Sequence, residues 1–261
     1  MLTKTTKVAA KIGTVLAFAA PFVVAAIQPA AAQVPPPTTW TGFYIGADFG
    51  AALASNNATW VPEPEPPTAF GVRVQSQDNT GGGLFGGVHA GYMWQVAPRW
   101  VGGGELDWAW SGAKGAFTQD WIALAGNVEP NSFTTMGSRL NWISSARGRI
   151  GYLVMPDFMV YGTGGLAFGS LDYHALNTNG TDYTTRLSTS RVQLGFAAGI
   201  GAEWAITRNW HARAEYLFYQ LEGGPDRQVF SPGTFATTYP SRYSWGATNV
   251  SAARIGVSYK F

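Results

Sequence analysis

Apolar and polar residues alternate with a period of two in eight stretches of this chain, the signature of a β-strand with one apolar and one polar face. In Trp40–Ala54, Phe43, Ile45, Ala47, Phe49, Ala51 and Leu53 oppose Gly42, Tyr44, Gly46, Asp48 and Gly50. In Leu84–Gln95, Leu84, Val88, Ala90, Tyr92 and Trp94 oppose Gly87, His89, Gly91 and Gln95. Trp100–Trp110 sets Leu106, Trp108 and Trp110 against Gly103, Glu105 and Asp107. Leu140–Leu153 sets Leu140, Trp142, Ala146, Ile150 and Tyr152 against Asn141, Ser145, Arg147 and Arg149. Met159–Gly169 follows, with Val160, Leu166 and Phe168 opposite Tyr161 and Thr163. Arg191–Trp204 alternates Val192, Leu194, Phe196, Ala198, Ile200 and Trp204 with Arg191, Gln193, Gly195, Gly199 and Glu203. Trp210–Leu221 alternates Ala212, Ala214, Tyr216 and Phe218 with His211, Arg213 and Glu215. Ala253–Phe261 ends the series, with Ala253, Ile255, Val257, Tyr259 and Phe261 against Arg254, Gly256, Ser258 and Lys260.

The connections alternate as well. Val96–Arg99, Val154–Phe158 and Ile206–Asn209 are short turns. Ser55–Gly83, Ser111–Arg139, Ser170–Ser190 and Glu222–Ala247 are long, polar or rich in Gly and Pro, and read as loops. Such an alternation places all long connections at one end of a barrel and both termini at the other. Four structureless loops of this length argue against a compact soluble domain.

Composition sharpens this. Charged residues make up 12% of the chain, about half the usual share for a soluble domain. The absence of cysteine excludes a disulfide scaffold and thiolate metal sites. The basic Met1–Lys11, the apolar Ile12–Ile27 and the small-residue site Ala30-Ala31-Ala32 form a secretory signal peptide over residues 1–32. A Pro-rich linker covers 33–39, and the barrel domain covers 40–261. Discounting Lys4, Lys7 and Lys11, fourteen basic residues face fifteen acidic ones, so the net charge of +2 is no argument for nucleic acid as a partner.

Alternation alone does not say which face is inside, and a β-sandwich or a lipocalin-like barrel would share it. Three features favour lipid on the apolar side. They are the leader, the aromatic residues at the segment ends (Trp40, Trp94, Trp100, Trp110, Trp142, Trp204, Trp210, Tyr259), and a glycine-rich polar face suited to a narrow lumen. The predicted fold is all-β, an eight-stranded antiparallel transmembrane up-and-down β-barrel. Its termini are periplasmic and its long loops extracellular.

A family resemblance rests on several motifs in order. They are Trp40-Thr-Gly42-Phe-Tyr44-Ile-Gly46, Ala146-Arg147-Gly148-Arg149-Ile150-Gly151-Tyr152, Tyr161-Gly-Thr-Gly164-Gly165-Leu-Ala-Phe-Gly169, Ala214-Glu215-Tyr216-Leu217-Phe218-Tyr219 and Arg254-Ile-Gly-Val-Ser-Tyr-Lys-Phe261. Together they resemble the small porin-like outer-membrane immunogenic proteins of alphaproteobacteria, and more broadly the OmpA-type eight-stranded transmembrane domain. Val257, Tyr259 and Phe261 resemble the C-terminal assembly signal of bacterial outer-membrane barrels. The resemblance implies an integral outer-membrane protein with a structural, envelope-integrity and surface-exposed role, without catalysis. It implies outer-membrane lipid and lipopolysaccharide, the barrel-assembly machinery and periplasmic chaperones as partners. The peptidoglycan-binding domain of full-length OmpA-type proteins is not expected here.

The chemistry-bearing residues read first as structure. Asp48, Glu105, Asp107, Glu203 and Glu215 with Arg147, Arg149, Arg191, Arg213 and Arg254 form a balanced set on the predicted lumen face. Such charges persist away from water only when paired, so the set reads as a salt-bridged plug. The functional alternative is a pore lining in a small-solute porin. His89 and His211 point into the lumen, and His174 falls in a loop, where it is the histidine available to a haem-binding receptor. No His and Ser share one strand face, which disfavours a lipid-modifying hydrolase. The Gly81–Gly86 string opens a strand rather than a helix, so it is not a nucleotide fingerprint. No catalytic residue, cofactor or metal is assigned. The acidic, Pro-rich Val61–Pro67 reads as a solvated loop or a recognition segment for an extracellular partner.

Overall fold

The computed structural model describes residues 39–62, 74–122, 128–180, 184–232 and 238–261. The stretch expected to be a signal peptide, the expected linker before Thr39 and the acidic segment beyond Pro62 lie outside the described residues. The strands in chain order are β1 (Gly42–Pro62), β2 (Gln75–Ala97), β3 (Trp100–Ser111), β4 (Lys114–Ile122), β5 (Val128–Met155), β6 (Phe158–Thr178), β7 (Thr184–Ala205), β8 (Trp210–Gly223), β9 (Asp226–Pro232), β10 (Thr238–Trp245) and β11 (Ala247–Lys260). Eight of them close a ring. β1, β2, β3, β5, β6, β7, β8 and β11 each pair antiparallel with the next, and β11 returns to β1 from Tyr44↔Lys260 to Ser55↔Asn249. The short turns fall between β2 and β3, β5 and β6, and β7 and β8.

Within the ring, the alternation puts apolar side chains outside. Leu106 is 65% and Ile200 69% exposed, and Phe43, Ile45, Phe49, Leu84, Ile150 and Ile255 are exposed with them. A soluble monomer seldom exposes a patch of more than a few hundred Å²; a belt of this kind around a closed sheet is a lipid-facing wall. Trp94, Trp100, Trp204 and Trp210 stand exposed at the turn end of the belt, and Trp108 and Trp110 at the other. Trp40, expected in that girdle, is instead fully buried in the barrel mouth.

The four long connections differ from expectation, because they are largely strand. β1 and β2 stay paired up to Trp60↔Gln75, and β6 and β7 up to Thr178↔Thr184. β4 prolongs the path of β3 past Gly112 and Ala113 and pairs with β5. β9 prolongs β8, and β10 joins both β9 and the outer part of β1. The reason lies in the pattern itself. Beyond the belt the strands are surrounded by water, so apolar residues shift to the inner face, and the parity that marks the membrane segments reverses. The inner residues there, among them Trp60, Trp121, Met136, Leu140, Tyr173, Leu221, Tyr243 and Trp245, form one buried apolar cluster.

One register irregularity matters. Between Leu140 and Trp142 the β5–β6 ladder shifts at Asn141. An extra residue of this kind turns the following side chains to the other face. Leu140 therefore points inward, at 1% exposure, rather than outward with Trp142.

Candidate functional site

The interior of the ring has three layers. At the turn end Trp40, Tyr44, Met93, Val101, Leu153, Met159, Tyr161 and Ala205 pack as a small apolar cluster. Trp40 donates its ring N–H to the Pro156 carbonyl (3.0 Å) and meets His211 edge-on, with centroids 5.0 Å apart. The Lys260 ammonium donates to the Thr39 carbonyl at 2.6 Å, tying the entering chain to the last strand. At the far end lies the apolar cluster of the extension. Between them is a layer of ionised side chains.

Arg147 lies at the centre of that layer. Its guanidinium reaches Glu105 (2.6 Å), Asp107 (2.8 Å) and Glu215 (3.0 Å). Arg149 contacts Glu203 (2.6 Å) and Glu105 (3.2 Å), and lies over the Tyr161 ring at 3.9 Å from its centroid. Arg213 grips Asp48 with Nε (2.9 Å) and Nη2 (2.7 Å) and also donates to Glu105. Arg254 donates through Nε to Glu215 at 2.7 Å and stands 3.4 Å from both Asp48 and Glu105. Glu105 thus touches all four guanidiniums, and it also accepts the Tyr44 hydroxyl at 2.9 Å. His211 is bonded to Glu203 (2.8 Å), and Ser145 donates to Asp107 (2.6 Å). None of these charged groups is more than 6% exposed.

The ladder explains why the layer forms. Glu105 faces Arg147 and Glu215 faces Arg254 as directly opposed cross-strand pairs, and Glu203 faces Arg213 in the same way. Oppositely charged residues at such positions attract. Many of the remaining lumen positions are glycine. A side-chain carbon at Gly91 would collide with the Tyr44 ring, and one at Gly256 with the Asp48 carboxylate. The missing side chains are the space that the long ones fill.

Nine of the ten charged residues anticipated for the lumen are brought together in this layer. Arg191 is not among them. It keeps the inward parity of Gln193, but β8 pairs with β7 only as far as Gly195↔Leu221, and beyond that point Arg191 is exposed. His174 is in a strand rather than a loop, on the outer face of β6. Among the described residues, no three His, Cys, Asp or Glu side chains are gathered in a metal-holding arrangement.

The structure also joins groups that the sequence reading kept apart. His89 and Ser258 are both cross-strand partners of Gly46, one on β2 and one on β11. With no side chain at Gly46, the imidazole and the hydroxyl meet above it. His89 Nε2 lies 2.8 Å from Ser258 Oγ, and Nδ1 lies 2.8 Å from Asp48 Oδ2. This is a Ser–His–Asp relay assembled from three strands. A residue-by-residue search of single strand faces could not find it; Gly46 between two strands of matching register was the available signal.

An apolar belt outside, aromatic residues at its edges and a paired ionic interior define an integral membrane β-barrel. The family model of the outer membrane protein beta-barrel domain matches residues 17–261, and the chain belongs to that family. It is 32% identical to the 31 kDa outer-membrane immunogenic protein of Brucella melitensis over 241 residues, covering 90% of each chain. It is 28% identical to the 22 kDa outer membrane protein of Rhizobium leguminosarum, covering 88% of this chain and 82% of that one. It is similar to the crystal structure of the outer membrane protease OmpT from Escherichia coli, with a TM-score of 0.47 and 11% identity over 84% of this chain and 97% of that one. The protein is an outer-membrane β-barrel protein homologous to outer-membrane immunogenic proteins. The belt lies in the outer membrane, the turn end faces the periplasm and the extension faces outward.

Proposed function

We propose that this protein is a closed, non-conducting structural barrel that performs no catalysis and presents a folded, strand-built platform at the cell surface. One observation carries the reading: the ionic layer crosses the lumen between two apolar layers, with none of its charged groups more than 6% exposed. An eight-stranded barrel is only wide enough to be filled by its own side chains. Here four guanidiniums and five carboxylates fill it, and each holds its neighbours in place. The Ser258–His89–Asp48 relay acts in the same structural sense. Ser258 is 2% exposed, and both Asp48 oxygens are already held by Arg213, so the hydroxyl has no access to a substrate.

The last strand serves assembly. Val257 and Phe261 are exposed on the lipid face, and Phe261 closes the seam through a 2.9 Å bond to the Phe43 carbonyl. The assembly machinery reads this face before the seam is closed. Planar-bilayer recording tests the central claim. The purified protein is expected to show no sustained open state, whereas a steady, ion-selective conductance from the unmutated chain would replace this reading with that of a small-solute porin.

A further inference from the structure

We propose that Lys114 and Arg139, on the outer wall just above the lipid belt, form a binding site for the phosphorylated headgroup of an outer-leaflet glycolipid. Lys114 on β4 and Arg139 on β5 are directly opposed in the ladder, and both are exposed. Among the described residues, neither makes an ion pair or a side-chain hydrogen bond. Like charges at directly opposed positions destabilise a sheet, so an anion between them relieves a cost that the fold otherwise carries. The neighbouring carboxylate fills this role only in part. Asp172 lies across from Arg139 on β6 and attracts it, but Ser190 and Asn141 hydrogen-bond that carboxylate and it forms no ion pair with Arg139, so one carboxylate stands beside two cations. His174 lies against Gly137 next to the pair and adds a third group able to donate to phosphate.

The surroundings leave room for a headgroup. Gly82, the β2 partner of Lys114, and Gly112 are both exposed. A side-chain carbon at Gly112 would meet nothing closer than the Leu84 carbonyl at 3.5 Å. Below this bare floor stands an aromatic group. Trp110 is 62% exposed, and Trp108 stacks on Trp142 at 4.3 Å. Such residues mark the edge of the hydrocarbon. Lys114 is four residues beyond Trp110, roughly 13 Å along a strand and less along the membrane normal because the strand tilts. That is the depth at which headgroup phosphates lie, within reach of long basic side chains. A lipid already in the leaflet is also present at a high effective concentration, which two exposed cations require to be occupied and which free phosphate lacks.

Native mass spectrometry of the full chain released from detergent micelles tests this, with bisphosphorylated lipid A as the probe. A basic residue near an anionic membrane surface contributes roughly fivefold in affinity. Lys114→Ser and Arg139→Ser are each expected to lower lipid A retention by about that factor, and the double variant by about thirtyfold. Lys114→Arg should retain the lipid, and so should Arg227→Ser on exposed β9. A heat-modifiable gel band reports that each variant is folded, and the two single variants keep the test decisive if the double variant fails to fold. Equal retention of dephosphorylated lipid A would overturn the proposal. So would competition by inorganic phosphate at equimolar concentration, which assigns the site to the free ion, or an equal loss in Arg227→Ser, which reduces it to general surface charge.

Discussion

The two halves of this barrel solve opposite problems with the same strands. In the membrane the surroundings are apolar, so the outer face carries Phe49, Leu106 and Ile255, and the inner face can hold Asp48, Glu105 and Arg254. Outside the membrane the surroundings are water. There the inner face carries Trp60, Tyr173 and Tyr243, while Asn57, Thr118 and Ser188 face out. β8 shows the change within one element. Arg213 and Glu215 are followed on the same inner face by Leu217, Tyr219 and Leu221. β5 shows it in reverse chain direction, from Met136, Leu140 and Ile143 to Arg147 and Arg149. The lower half is therefore held inside by ion pairs and hydrogen bonds, and the upper half by the burial of apolar surface that folds soluble proteins.

That contrast can be broken at chosen points. Arg147→Ala strips a partner from Glu105, Asp107 and Glu215 at once. Leaving buried charges uncompensated costs about 3–5 kcal/mol, which urea unfolding in micelles would report, together with brief flickering conductance in bilayers. A loss under about 1 kcal/mol, within the range of exposed pairs, would mean that water reaches the layer. Trp60→Ala, in the apolar half, is expected to cost a similar amount, about 3–5 kcal/mol, but only locally. Hydrogen exchange should speed up in β10 and the outer part of β1, while the β1–β11 seam stays protected and the folded gel band persists. Simultaneous loss of protection in both halves would show that they unfold as one unit.

Smaller effects sharpen the boundary. Leu106→Arg places a cation near the middle of the lipid face and is expected to cost about 2–4 kcal/mol. Thr118→Arg, on the outer face of the extension, should stay within about 0.5 kcal/mol, as exposed substitutions do. Equal effects would place the membrane boundary elsewhere. Ser258→Ala removes one hydrogen bond from His89, which keeps Asp48. An expected loss of about 1 kcal/mol, read from the same urea transitions, separates a hydroxyl that only supports the imidazole from one on which the layer depends.

The eight membrane segments and the identity of nearly every ionic residue were legible in the sequence. A strand with one face in lipid and one in a narrow lumen must alternate, and charges are costly on the lipid side. Phe43 to Leu53, Leu106 to Trp110 and Ala253 to Phe261 therefore declared both their strand state and their facing. The extension was hidden for the complementary reason. Once outside lipid, Ala58, Trp60, Phe117 and Trp121 turn inward among Ser, Thr and Asn, and the inverted parity reads as polar loop when only the membrane rule is applied. Arg191 shared the lumen parity, yet its exposure depends on where β8 parts from β7, a feature of pairing. Leu140 turned inward through a bulge that one residue, Asn141, introduces. The partners within the lumen were likewise a tertiary matter. Which guanidinium meets which carboxylate, and that Ser258 meets His89 over Gly46, follows from register across three strands. Periodicity along one strand determines the face on which a residue lies; only closure of the ring determines what it meets there.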